Sequence, residues 1–167
     1  LAWEKPRPIV PRHLRVEVHE RIRADGSVSI PFDHSSLTRA ISKLKDEGVE
    51  SIAVCLLNAY ANPEHEQIVA AAFSSQDGPP VTLSHQVLPE IREYERTSTT
   101  VVNAAVAPIV RVYLRGLQGR LDTLGIDAPV WIMQSAGGVT DVDSAASYPV
   151  RIIESGPAAG VVASAEL

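Results

Sequence analysis

The sequence holds a single cysteine, Cys55, in 167 residues, so no disulfide can form within the chain. Cys55 lies in the apolar run Ile52-Ala-Val-Cys-Leu-Leu57 and reads as a small buried hydrophobe rather than a nucleophile. Basic charge is also scarce: 15 Lys and Arg stand against 20 Asp and Glu, a formal charge of −5. No basic stripe appears, which argues against nucleic acid as the main partner. No apolar run reaches the length of a membrane span and no signal-peptide pattern is visible, so a soluble cytoplasmic protein without a membrane partner is expected. There is no Walker loop, no dinucleotide fingerprint, no internal repeat and no low-complexity tract.

What is present suffices for a packed core. The chain is 45% apolar and 21% charged, which fits one medium domain or parts of two. Residues 1–11 are rich in proline and basic side chains and read as an extended lead-in. Leu14, Val16, Val18 and Ile22 alternate with charged neighbours, Asp25-Gly26 offers a hairpin turn, and Val28 and Ile30 resume the alternation. This predicts a two-stranded ribbon with a wet face, on which His13 and His19 are solvated. Asp33 to Ser36 supply caps for a helix with Leu37, Ile41 and Leu44 on its apolar face, and Gly48 ends it.

Strands are expected over 51–57 and 81–87. Between them a helix opens at Asn62-Pro63-Glu64 and runs through Ile68, Val69 and Phe73. His65 and Glu66 fall in its first turn. With no third ligand at a useful spacing they read as a solvated helix start, and no metal site is expected. Ser84 and His85 end a strand on this reading, so they face opposite ways and cannot pair. Residues 89–100 hold the densest polar run, either a solvated turn laced by i,i+3 and i,i+4 ion pairs or an Arg and hydroxyl cluster facing an anion. The longest helical pattern follows, with Val102, Val106, Ile109, Tyr113, Leu117 and Leu121 in one stripe and Leu124-Gly125 closing it. Pro108 inside it predicts a kink or a split. Alternating helices and strands make the class α/β with an at least partly parallel sheet.

The last quarter organises the rest. Val130 to Met133 reads as a covered strand running into the Gly137-Gly138 turn. Residues 139–147, with Asp141 and Asp143, read as a polar connection, and 148–153 as a return to the sheet. Ser155 caps the next helix, Pro157 takes its first turn, and Ala158, Ala159 and Gly160 keep it thin enough for close packing. A capped helix start favours an anion, yet the spacing better describes a capped crossover without a ligand.

Four stretches, in order, resemble the ATP-dependent hydantoinase A / 5-oxoprolinase family, which includes acetone carboxylase subunits. They are Leu57-Asn-Ala-Tyr-Ala-Asn-Pro-Glu-His-Glu66, the run from Ser84-His-Gln-Val-Leu-Pro to Tyr94-Glu-Arg-Thr-Ser-Thr-Thr100, Ile132-Met-Gln-Ser-Ala-Gly-Gly138 and Ser155-Gly-Pro-Ala-Ala-Gly-Val-Val162. The resemblance implies a ribonuclease-H-like α/β fold of the actin, sugar-kinase and heat-shock chaperone ATPase type, here a partial domain with a β-hairpin insertion. It places 1–95 in the family's N-terminal region and 96–167 at the start of its central domain. Within that, 151–167 forms an inter-domain connecting helix hinged at Ser155, Gly156 and Gly160.

The family's acidic glycine loops, which carry ATP phosphates and Mg²⁺, are not in these residues. The chain is therefore expected to be an internal, inactive piece of a protein about four times longer, with ATP and Mg²⁺ bound only by the parent. The implied activity is hydrolysis of a cyclic amide, a hydantoin or 5-oxoproline, through a phosphorylated intermediate. Substrate or phosphate contacts are expected at Arg96, Thr97 and Ser98 and along Gln134, Ser135, Gly137 and Gly138. A second subunit and oligomerisation are the expected associations. Two alternatives stay open: a non-catalytic packing or partner-binding module, and a sugar-kinase-like phosphotransferase, which would need a catalytic Asp that is not evident.

Overall fold

A computed structural model describes residues 6–73 and 78–165. The molecule divides into two compact units, Leu1–Ala105 and Val106–Leu167.

The first unit is α/β. Strands β1 (Arg21–Ile22) and β2 (Val28–Ile30) form an antiparallel ribbon. The Asp25-Gly26 turn joins them as expected, with Gly26 at φ 83° and the Ser27 N–H and Oγ–H both donating to Asp25 Oδ1. The strand expected over 14–22 is shorter than its pattern. Arg12–Leu14 is a 3-10 turn, and the alternating residues after it stay extended but are tied down by other means. His19 N–H donates to Ser36 Oγ and Asp33 N–H to His19 O. Val16 and Val18 pack on the core without a ladder partner being needed. His13 and His19 are exposed, as read.

Helix α1 (His34–Asp46) starts where Asp33 accepts a hydrogen bond from Ser35 N–H. It buries Leu37, Ala40 and Leu44. Gly48 closes it at φ 63°. Strand β3 (Ile52–Val54), helix α2 (Glu64–Ala72) and strand β4 (Val81–Leu83) follow, with β3 and β4 parallel and Val54 opposite Leu83. This is the crossover that parallel strands require. The core comprises Leu37, Leu44, Ile52, Val54, Val69, Phe73 and Leu83.

Helix α3 (Ser84–Val87) begins directly where β4 ends. This corrects the reading of 81–87 as one strand and of Ser84 and His85 as facing apart. Helix α4 (Glu93–Thr123) begins in the first unit and ends in the second. It runs through Pro108 as one helix, so the proline does not split it. Nor does it bury the expected stripe. Thr100, Asn103, Ala104, Ala107 and Leu114 are buried, while Ile109 and Tyr113 are 73% and 67% exposed. Small and polar residues, with Leu114, are what this helix covers fully, while Val102, Val106, Leu117 and Leu121 of the expected stripe are half-buried beside them. By length and composition alone α4 is long and apolar enough to cross a membrane, as the core helices of soluble proteins also can be.

In the second unit, β5 (Trp131–Met133) and β6 (Val139–Asp141) form an antiparallel hairpin. Helix α5 (Val142–Ser147) follows, capped by Asp141, which accepts from Ser144 N–H and Oγ–H. A 3-10 turn, Pro149–Ile152, leads to helix α6 (Ser155–Ala165). Three expectations change here. Residues 139–147 are a strand and a helix whose Val142, Ala145 and Ala146 are buried with Leu114, because Asp141, though exposed, caps the helix. Residues 148–153 do not return to the sheet. The strand at 131–133 is not covered, since Trp131 is 60% exposed.

Candidate functional site

The first turn of α2 lies close to the carboxyl ends of β3 and β4, the edge at which open α/β sheets take ligands. The helix turns Glu66 inward, where it is completely buried. Four donors converge on it. Glu66 Oε1 accepts from Leu56 N–H at 3.0 Å and from Ser84 Oγ–H at 2.6 Å. Oε2 accepts from His85 N–H at 3.2 Å and lies 2.7 Å from His85 Nδ1. The β3 ladder stops at Val54 because the next chain donor in this direction, Leu56 N–H, is taken by a side chain. The helical turn after Leu83 places both Ser84 and His85 over the same carboxyl group.

A second buried pair lies beside it in sequence. His65 Nδ1 is 2.6 Å from Glu20 Oε2, with both side chains 5% exposed, and Phe32 lies against the His65 ring. The solvated helix start expected for His65 and Glu66 is thus corrected. Each reaches back to a fixed partner, Glu20 or the strand ends, that is distant in sequence. Asn58 Nδ2–H donates to Ile22 O and Asn62 Nδ2–H to Gly26 O, binding the loop after β3 to the ribbon. Asn58 makes this reach from the left-handed region, at φ 57°, which asparagine tolerates.

Arg96, in the first turns of α4, is 1% exposed. Its Nη1–H donates to Glu90 O and its Nη2–H to Leu56 O, and the guanidinium stands 5.5 Å from the centre of the Tyr60 ring. Among the described residues its Nε is the buried side-chain nitrogen without a partner. Arg96 therefore sits inside the strand-end cluster. Thr97 is exposed and Ser98 half-buried. The ion-pair reading of 89–100 has substance, since Arg92 and Glu95 pair at 3.6 Å in solvent, while Arg96 turns in to two main-chain carbonyls. Burial pushes the Cys55 thiol up to about 11, only partly offset by hydrogen bonds with Thr100 and Thr97, as suits an inert thiol.

The other expected contacts lie in the second unit. Gln134 N–H donates to Gly138 O and Gly137 N–H to Gln134 O, closing the turn between β5 and β6 with Gly137 and Gly138 at φ 84° and 76°. Ser135 N–H donates to Arg151 O, and Ser135 Oγ accepts from Glu154 N–H. The turn thus spends these donors on itself and its neighbours. Helix α6 starts at Ser155 as expected, but it buries no residue. A Cβ added at Gly156 or Gly160 would meet nothing within 4 Å, so the close packing expected of its small face is not made by this chain's described residues. Among them, too, no three His, Cys, Asp or Glu gather as a metal ion would require.

Two family descriptions match the sequence in succession. The hydantoinase/oxoprolinase N-terminal region matches residues 2–76, and hydantoinase/oxoprolinase itself matches residues 96–167. The chain belongs to the hydantoinase/oxoprolinase family. An uncharacterized protein of Methanocaldococcus jannaschii is 38% identical over 99% of the chain and 24% of its own length. The alpha subunit of caprolactamase from Pseudomonas jessenii is 36% identical over 90% of the chain and 22% of its own length. The crystal structure of the ATP-dependent caprolactamase from Pseudomonas jessenii superposes with a TM-score of 0.82 at 32% identity, covering 96% of this chain and 24% of that one. The chain thus spans about a quarter of the length of the relatives it matches.

Two signals for the buried cluster were present in the sequence. One was an acid two residues inside a Pro-initiated helix, and the other a Ser-His pair at a strand end. What could not be read was that the strand stops one residue short of Ser84.

Proposed function

We propose that the whole protein opens a cyclic amide, a lactam or hydantoin, in an ATP-dependent hydrolysis. The observation that carries this is the likeness, in sequence and in fold, to an ATP-dependent caprolactamase across 96% of the chain, supported by the two family matches in their order. We further propose the ribonuclease-H-like architecture for the whole, with 1–95 ending the N-terminal region, 96–167 opening the central domain and 151–167 acting as the connecting helix hinged at Ser155, Gly156 and Gly160. Placement in the cytoplasm belongs to the same reading.

A nucleotide triphosphate with Mg²⁺ needs converging free N–H groups and a carboxylate ligand. The turn at 134–138 has its Gln134 and Gly137 donors spent internally, and Arg96 is engaged with two carbonyls. These residues do not fit a nucleotide by themselves, so we assign ATP and Mg²⁺ to other parts of the whole protein. Substrate or phosphate contacts on this chain are proposed for Arg96, Thr97 and Ser98 in the first unit and, separately, for the Gln134, Ser135, Gly137 and Gly138 turn in the second.

A packing or partner-binding role is the second reading, favoured by α6, an apolar helix with nothing buried. The caprolactamase relative is itself named as a subunit, so a second subunit is the partner this reading takes.

Calorimetric titration of ATP–Mg²⁺ into the chain and into the whole protein, with ADP release measured on adding caprolactam, 5-oxoproline or hydantoin, tests both readings. Binding and cyclic-amide-dependent release by the whole protein, with no heat from the chain alone, is expected. Tight binding to the chain alone would overturn the assignment of the nucleotide elsewhere. Nucleotide binding without turnover on any cyclic amide would overturn the ring-opening reading and leave the partner-binding one.

A further inference from the structure

We propose that His85 is the proton-accepting residue of the strand-end site and that the buried Glu66 is the positioning residue that orients it, an inference that rests on the ring-opening reading above. Leu56 N–H and His85 N–H can only donate, and each points at one oxygen of Glu66. Ser84 is completely buried and its hydroxyl donates to the same group at 2.6 Å. A carboxyl group loaded in this way acts as an acceptor throughout, so the proton shared with His85 sits on Nδ1. In its neutral form the ring then carries its lone pair on Nε2.

That nitrogen has no partner among the described residues, and it is not sealed in, because the buried nitrogen without a partner is Arg96 Nε alone. The side chain keeps 14% of its surface exposed. Glu66 therefore holds both the root of His85, through its backbone N–H, and one edge of its ring, leaving a basic edge outward at the carboxyl end of β4. Ser84, by contrast, has its hydroxyl turned to Glu66 and is no nucleophile. His65, held as tightly by Glu20, is 5% exposed and serves as an internal control.

In the step assigned to it, after the amide has been activated at the expense of ATP elsewhere in the whole protein, Nε2 takes a proton from water as the water oxygen bonds to the amide carbon. When the C–N bond breaks, its electron pair goes to nitrogen and Nε2 gives that proton to it. One water is added across one amide bond, a second is taken up as ATP becomes ADP and phosphate, and His85 ends as it began.

The test uses the whole protein. Diethylpyrocarbonate attacks an unprotonated, accessible imidazole nitrogen, so mass spectrometry at neutral pH should find His85 carbethoxylated and His65 spared. A His85 as unreactive as His65 would overturn the proposal without any variant having to fold. In cyclic-amide turnover with ATP, His85→Gln should lower kcat about a hundredfold, the low end for a general base, with KM little changed, and added imidazole should restore part of the rate of His85→Gly. A His85→Gln protein turning over at the unmodified rate would overturn the base and leave the ring-opening reading standing. An unmodified protein inert toward every cyclic amide would overturn the reading and the assigned step together.

Discussion

Glu66 gathers its partners from three parts of the chain: Leu56 after β3, and Ser84 and His85 after β4, with its own helix between. Removing a buried carboxyl group that four donors face leaves those donors unsatisfied in the interior. Glu66→Ala should therefore cost about 3–5 kcal/mol, since each buried donor left unsatisfied costs about 1–3 kcal/mol and several lose their acceptor together. Glu66→Gln keeps the shape and one acceptor oxygen and should cost less. Urea unfolding of the two variants beside the parent checks the order. A Glu66→Ala protein as stable as the parent would mean that water enters and replaces the carboxyl group. This residue also marks where sequence reading stopped. Its position near a helix start was legible, but its burial was not. An acid in a first turn is ordinarily solvated, and only the tertiary position of the two strand ends turns it inward. The same holds for His65, whose partner Glu20 lies 45 residues away.

At the level of elements, the turns and caps read truest, because their chemistry is local. Asp25-Gly26, the Asp33 cap and the Gly48 stop all stand where residue type placed them. Elements whose ends are set by distant partners read worst: the expected strands over 51–57 and 81–87 each keep three residues, cut short where side chains take over the backbone. The large apolar residues of α4 misled for a related reason, since the face it buries is lined by Ala104, Ala107, Thr100 and Asn103. Residue type marks a helix well and marks its inner face poorly when that face is small.

The caps lend themselves to a pH test. Hydrogen bonds from Ser35 hold the Asp33 carboxyl group below its ordinary range, and those from Ser144 do the same for Asp141. A group lowered in the folded state contributes stability that is fully present above its unfolded value and is lost as pH falls through the folded one. Melting temperature should therefore hold from neutrality down to the ordinary carboxylate range and drop below it. In Asp33→Asn and Asp141→Asn, which keep a cap without the titration, the drop should be shallower. Equal acid sensitivity in variants and parent would place the loss elsewhere.

Across the whole molecule, apolar side chains in the second unit face outward in number. Ile109, Val112 and Tyr113 on α4, Trp131 on β5 and Val161 on α6 are each at least 60% exposed, more than a stable monomer ordinarily leaves in one region of sequence. Studied alone, the chain should self-associate: its sedimentation coefficient should rise with concentration, and Val161→Lys together with Val112→Lys should suppress the rise. A coefficient independent of concentration would mean that these side chains are tolerated in water singly. Class and family were legible at this scale because four short motifs in order outweigh any one of them. The division into units at Ala105 was not, since it falls within the continuous α4.

Leu56 is gripped from both sides, its N–H by Glu66 and its C=O by Arg96, and among the described residues no ion pair joins those two charges directly. An acid and a base thus meet on either side of one residue, each holding a different one of two successive main-chain amides. For sequence drift this has a plain meaning. Changing either one leaves a main-chain group of Leu56 without its partner, and the side chain of Leu56 packs on the core besides. Positions 66 and 96 should therefore both resist change through descent, and proline, which has no N–H to give, should be absent from position 56.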